Sequence, residues 1–437
     1  MKKYIRFIKK IIRIILPSEG LINYFWHLPI EWLYAVRYGF PGRKITVIGV
    51  AGTKGKTTTA YFIAQLLESI GKRVALYSTA AVKIAGKEEL NTEKMTTPGR
   101  GFMQRLLLRA VRAQCEYAIL EISSHGLKQF RLIGIPFPVV IFTNMMPDHL
   151  DYHKTDRDYT FSHQRMIGPK TKVVAINGED AQLRKLRITG THTIIFGKGD
   201  GCDMRINNVE GESGGTSFTL SYLSKTIPLY IRTLGIFNVY NATAALAALR
   251  GIGVDILELR ENIKALIPAP GRMESIPNEY GYTVIVDYAH SPDSFDQVLK
   301  TMKPQTKGNL IAVTGACGDR DARVRPVMGK LLGQYCDYVV LTNDDPYTED
   351  PEKIIQELHE GIRTVLTMKE EKSYWIIMDR RSAITKGLSL AKSGDIVMIL
   401  GKGAEQWQVF KDKRIPWDDR EVARELLNEK KRGTLQK

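Results

Sequence analysis

From Lys44 onward, short runs of β-branched and other apolar residues alternate with longer stretches in which apolar positions recur every three or four residues. The first spacing is that of strands and the second that of helices, so the pattern predicts an α/β fold with a mainly parallel sheet. Strands are expected at 45–50, 74–77, 118–122, 139–143 and 172–176, and a second set at 283–286, 309–313, 338–342, 373–377 and 395–400. Each runs into a polar cluster, such as Ser78-Thr79, Ser123-Ser124-His125 or Asn343 to Tyr347. Ligands of open α/β sheets bind beyond the carboxyl ends of strands, so these clusters should converge on a crevice. Between Cys202 and Tyr222 the alternation around Gly211 to Gly215 predicts a hairpin instead. A helix of small residues follows at 241–249, and Ile267-Pro268-Ala269-Pro270-Gly271-Arg272 reads as a linker. The expected organisation is a helical segment over 1–43, a central domain over 44–268 and a second α/β domain over 269–437.

The first residues follow a different pattern. Lys2, Lys3, Arg6, Lys9, Lys10 and Arg13 are interleaved with isoleucines, with no acid before Glu19. At about 100° per residue the six bases fall within roughly 120°, which leaves a wide apolar face. Residues 1–16 therefore read as a helix for an anionic membrane surface, or as one packed on protein. The stretch is too short and too charged to span a bilayer. The aromatic-rich segment from Asn23 to Tyr34 either continues that anchor or covers the central domain.

Composition narrows the classes without naming one. With 437 residues, 43% apolar and 25% charged, the chain has the make-up of a globular protein of two or three domains. Four cysteines without paired spacing fit a reducing cytoplasm. A net charge of +16 favours polyanionic partners, but no basic module with interleaved aromatics points to nucleic acid.

The strongest chemical signal is Gly49-Val50-Ala51-Gly52-Thr53-Lys54-Gly55-Lys56-Thr57-Thr58, between a predicted strand and a predicted helix. Glycines let backbone N–H groups of Gly52, Thr53, Lys54 and Gly55 close around phosphate, and the helix start at Lys56 to Thr58 adds a favourable dipole. Lys56 can reach the β/γ-phosphates and Thr57 can ligate Mg²⁺, so the loop reads as an ATP site.

Further motifs follow in order: Thr96-Thr97-Pro98, Glu121 to Leu127, Thr143-Asn144, Asp148 to His153, Gly271-Arg272-Met273-Glu274, Asp287-Tyr288-Ala289-His290 and Gly318-Asp319-Arg320-Asp321. Together with the loop they resemble the Mur ligases, in particular the MurE-type branch that adds the third residue to the muramoyl peptide. The resemblance implies a P-loop central domain and a Rossmann-like C-terminal domain. It implies an ATP- and Mg²⁺-dependent amide ligase that phosphorylates an acceptor carboxylate and lets an amino acid's amine displace phosphate. Carried over by motif, Lys56, Glu121, His149 and Arg272 are the catalytic positions, and Thr57, Glu121 and His149 the metal positions. Asn241 faces adenine, Arg272 reaches phosphate, and Asp287 and His290 lie at the nucleotide. Thr96, Thr97, Ser123, Gln129 and Arg131 hold a UDP- or lipid-linked muramoyl peptide. Arg320, Asp344, Asp345, Tyr347, Gly401 and Glu405 face the incoming amino acid.

The chain departs from the family at several places. His163 stands 14 residues after His149, where relatives carry a carbamylated lysine, and reads as an alternative ligand for a second metal. Asp344-Asp345-Pro346-Tyr347 replaces Asp-Asn-Pro-Arg, which loses the donor for a distal carboxylate and adds an acid suited to a distal ammonium. Ala404 replaces the histidine of Gly-Lys-Gly-His-Glu. Only 44 residues precede Ile45, so the family's uridine-binding domain is expected to be absent. A folylpolyglutamate synthetase-like ligase and a non-catalytic ATP-binding scaffold on the membrane are the alternatives.

Overall fold

The computed structural model describes residues 18–433 except 92, 94, 147–149, 154, 187 and 213, with the backbone alone at 150, 151 and 156. The basic helix expected over 1–16 and the metal position His149 lie outside the described residues. The chain divides into two compact units between Ile267 and Pro268.

The first unit is built on one sheet. Its strands are β1 (Thr46–Ala51), β2 (Val74–Tyr77), β3 (Ala81–Ile84), β4 (Lys87–Leu90), β5 (Tyr117–Glu121), β6 (Val139–Phe142), β7 (Val173–Asn177), β8 (His192–Gly197), β9 (Met204–Glu212), β10 (Gly215–Tyr222) and β11 (Lys225–Ile231). They lie in the order β11-β10-β9-β8-β7-β6-β1-β5-β2-β3-β4. The run from β2 to β9 is parallel, with antiparallel pairs at both edges. Val47, Ile48, Val50, Ile119, Leu120, Val140 and Ile141 are all fully buried, as expected of strands covered on both faces. The chain leaves β1 toward β2 on one side and returns through β5 to β6 on the other. The loop after β1 therefore sits at the switch point where a crevice opens. The five expected strands and the hairpin are present, each strand within a residue of its expected ends. The edge pair β3–β4 and the flanking β8 and β11 were not expected. Lys87-Glu88-Glu89-Leu90 has no apolar alternation, and the turn residues Ala85 and Gly86, both at positive φ, create that strand pair.

Helix Leu28–Arg37 packs on this unit, and its inner face covers the central domain. Ala35 is fully buried, and Glu31 accepts hydrogen bonds from the backbone N–H groups of Arg100 (2.5 Å) and Gly101 (3.0 Å). Burial raises the Glu31 carboxyl above its ordinary value, offset in part by those two N–H groups and by Arg131.

The second unit is a six-stranded sheet of β12 (Glu274–Ile276), β13 (Thr283–Asp287), β14 (Leu310–Thr314), β15 (Tyr338–Leu341), β16 (Tyr374–Ile376) and β17 (Ile396–Leu400), in the order β12-β13-β17-β14-β15-β16. Only β12 is antiparallel. Val284, Val286, Val313, Val340, Val397 and Ile399 form its core. A small ribbon, β18 (Trp407–Val409) with β19 (Arg414–Pro416), follows β17.

Candidate active site

At the end of β1 the chain turns through Gly52 to Gly55 into helix Lys56–Ser69. Gly55 has φ +80, and a Cβ there would lie 2.3 Å from Asn241 Oδ1, so only glycine fits where helix Ile236–Gly251 meets the loop. No side chain caps the helix, which leaves its first N–H groups for an anion. Lys56 Nζ donates to the carbonyls of Gly52 (2.8 Å) and Thr53 (2.9 Å), and so lies over the loop. Asn144 braces the other side: its Oδ1 accepts from Lys54 N at 2.8 Å, and its Nδ2 donates to Lys54 O at 3.0 Å. The Thr53 hydroxyl bonds Met146 O (2.8 Å) and Tyr159 OH (3.0 Å). Asn241 accepts from the Thr59 hydroxyl at 3.3 Å, and Thr58 is buried in the first turn.

The Thr57 hydroxyl donates to Glu121 Oε2 at 3.0 Å, and Thr79 donates to the same carboxylate through its N–H (2.6 Å) and its hydroxyl (3.1 Å). Glu121 is only 2% exposed, and with Thr57 it presents hydroxyl and carboxylate oxygens, the donors a hard divalent cation takes. Among the described residues no group of three His, Cys, Asp or Glu side chains forms a ready metal cage. His163 is buried at the end of helix Asp156–Gln164. Its ring stands edge-on to Tyr159 at 4.7 Å, with Nδ1 3.1 Å from Tyr159 O.

The positions expected to hold the acceptor come together beyond β5. Thr79 and Thr96 hydroxyls are 3.1 Å apart. Thr97 Oγ1 accepts from Ser123 N at 2.9 Å and from the Ser123 hydroxyl at 3.2 Å. Arg131 donates to Thr97 O and to Gln129 Oε1, both at 2.5 Å, and Gln129 donates to Tyr152 OH at 3.3 Å. Burial lowers the Arg131 value, partly offset by Glu31. Ser123 also caps helix Ser124–Lys128, so capping and site placement coincide in one residue. Thr79, Asn144 and Glu31 were not singled out as site residues from sequence. Thr79 and Asn144 had a signal in directly following predicted strands; Glu31 had none.

In the second unit, Lys402 is fully buried. Its Nζ lies 2.8 Å from Asp345 Oδ1, 3.3 Å from Glu405 Oε2 and 3.5 Å from Asp344 Oδ1. Burial disfavours the ammonium, but the three carboxylates outweigh that and raise its ionisation well above the ordinary lysine value. This changes the reading of Asp345 as an acid spare for a substrate ammonium. It is 1% exposed and also accepts from Val409 N at 2.8 Å, so it is committed inside the protein. Gly401, at φ +113, passes its backbone beside Asp344. Tyr347 is half-buried at φ +50, and Arg320 is exposed. Arg380, absent from every motif, supports this cluster: it pairs with Asp419 through two 2.7 Å bonds and donates to Leu400 O (2.9 Å) and Asn343 O (3.1 Å).

Asp287 ends β13 with both oxygens occupied, accepting from Met273 N at 2.7 Å and Ala289 N at 2.8 Å. Burial raises its value, offset in part by Arg272 and backbone N–H groups. The Arg272 guanidinium lies 4.2 Å from the Tyr288 ring centroid, and His290 Nδ1 is 2.7 Å from Tyr288 O. A separate cavity of about 1130 Å³ opens at the amino ends of β1, β5, β6 and β7, opposite the phosphate loop. Phe130, Phe137, Met166, Arg43 and Arg165 line it.

Residues 50–249 match the Mur ligase middle domain, and residues 271–403 match the Mur ligase glutamate ligase domain. A Clostridium botulinum protein named UDP-N-acetylmuramoyl-L-alanyl-D-glutamate--2,6-diaminopimelate ligase is 36% identical over 90% of this chain and 80% of its own length. The protein of the same name from Aquifex aeolicus is 37% identical over 89% of this chain and 79% of its own. A solved structure of a ligase of that name superposes with a TM-score of 0.65 at 33% identity, covering 89% of this chain and 79% of the other. Mycobacterium tuberculosis folylpolyglutamate synthase, solved with ADP and AMPPCP, shares the fold at a TM-score of 0.69 and 19% identity, covering 86% of this chain and 92% of its own. The chain belongs to the Mur ligase family of ATP-dependent acid–amino-acid ligases.

Proposed function

We propose that this ligase adds a diamino acid to the terminal carboxylate of a muramoyl dipeptide, on the cytoplasmic side, in peptidoglycan precursor synthesis. The observation that carries the reading is the Thr57–Glu121–Thr79 cluster. It joins an uncapped helix start over the phosphate loop to the Thr96, Thr97, Ser123 and Arg131 network at the next strand end.

Lys56 and the loop N–H groups hold the triphosphate, and Asn241 borders the base. Thr57, Glu121 and His149 would hold Mg²⁺, with His163 as the candidate for a second ion. Bound Mg²⁺ would offset the repulsion between carboxylate and γ-phosphate. Arg131, with Gln129, Thr96, Thr97 and Ser123, positions the acceptor so that its carboxylate oxygen attacks γ-phosphorus and ADP leaves. Arg272 and Asp287 serve the nucleotide and Arg320 the amino acid's carboxylate. The uncharged amine attacks the acyl phosphate carbon, the carbon–oxygen bond to phosphate breaks, and the proton the amine gives up leaves on the departing hydrogen phosphate. Around Lys402, three carboxylates face one ammonium. Asp345 is taken up by Lys402, and the remaining negative charge of Asp344 and Glu405 favours an amino acid with a second amine.

The test is phosphate release by the full chain with ATP, Mg²⁺ and UDP- or lipid-linked muramoyl-alanyl-glutamate, screened against 2,6-diaminopimelate, lysine and ornithine. Release requiring both acceptor and one diamino acid supports the reading. Silence with every pair, while ATP still binds, contradicts it.

A further inference from the structure

The helical segment over 19–37 is amphipathic in the inverted sense. Its protein-facing stripe holds the polar Asn23 and Glu31, 3% and 2% exposed, together with Ala35. Outward it presents Leu21, Tyr24, Phe25, Trp32, Leu33 and Val36, which are 41–67% exposed. On helix Leu28–Arg37, Trp32, Val36, Leu33 and Arg37 fall within an arc of roughly 140° at 100° per residue, a continuous stripe edged by a base. A surface helix that turns its large apolar side chains to solvent marks a face that something else covers.

Two observations identify the occupant. The stripe combines tryptophan, tyrosine and phenylalanine with aliphatics, side chains that suit the interface between hydrocarbon and headgroups. Over the first 44 residues the sequence has nine lysines and arginines against two acids, and one of those acids, Glu31, is turned into the protein. We propose that this outward stripe docks on the surface of an anionic lipid bilayer, with the apolar side chains at the acyl boundary and Arg37 at the headgroups. Glu31 ties the same helix to the Arg100–Gly101 backbone beside the acceptor network. Docking would thus hold the acceptor region at the membrane surface. This inference does not depend on which amino acid or acceptor the ligase takes.

The experiment is flotation of the full chain with phosphatidylcholine vesicles with and without phosphatidylglycerol. It compares wild type with the triple variant Phe25→Ser/Trp32→Ser/Leu33→Ser, with thermal unfolding and sedimentation velocity run in parallel. Wild type should float only with the anionic vesicles, and the triple variant should lose about tenfold or more in partitioning with an unchanged melting temperature. Three results would overturn the proposal. Wild type could fail to float, or the variant could float as well as wild type. The variant could also lose melting temperature or a dimer while flotation is unaffected, which would assign the stripe to the chain itself or to a second copy.

Discussion

At the phosphate loop the protein prepares for negative charge with backbone N–H groups, a helix start and one lysine. In the second unit it gathers two buried carboxylates and the partly exposed Glu405 around Lys402. The first arrangement is made by conformation, so its weak points are glycines and close backbone approaches. The second is made by compensation between charges. Loss of one partner there strands the others in a low-dielectric setting, where the energetic consequence exceeds the worth of any single pair. The two sites should therefore fail differently, the loop through lost chemistry and the Lys402 cluster through lost stability.

The sharpest break of this contrast is Lys56→Ala, which should lower ligase turnover about a thousandfold or more with little change in melting temperature, read by kinetics and calorimetry. Lys402→Met should instead destabilise the protein by about 3–5 kcal/mol in chemical denaturation. Because the raised Lys402 value keeps the ammonium charged, its contribution is complete below the ordinary lysine range and is lost only as pH rises through the raised value. Gly55→Ala lies between the two modes. Its Cβ would meet Asn241 at positive φ, which should cost about 1–3 kcal/mol and weaken ATP binding in calorimetric titration. The smallest effect is expected at Glu31. Its value is raised in the fold, so stability should fall as pH climbs from the ordinary carboxylate value to the raised one. Glu31→Gln should flatten that slope and shift stability by about 1 kcal/mol.

The same division explains what could be read from the chain. Glycine spacing, the strand before it and the helix after it make the loop legible, and the buried parallel strands follow from uninterrupted apolar runs. Thr96, Thr97 and Ser123 could be named because they lie in local motifs, and Arg131 because it follows one closely. Arg380 could not, since its partners Asp419, Asn343 and Leu400 are brought to it only by the fold. Asp345 was visible, but its pairing with Lys402 was not. An acid after a strand has the same sequence appearance whether it faces a substrate or a buried lysine. The edge strand over 87–90 was missed because its pairing comes from a turn rather than from hydrophobic alternation.

The central claim is that the acceptor carboxylate is activated by phosphoryl transfer before the amine attacks. Its most direct test uses acceptor labelled with ¹⁸O in the reacting carboxylate, with the released phosphate analysed by mass spectrometry. The account predicts one labelled oxygen in each phosphate formed during ligation, and none when Lys56→Ala is used over the same time. Unlabelled phosphate accompanying amide formation would contradict it.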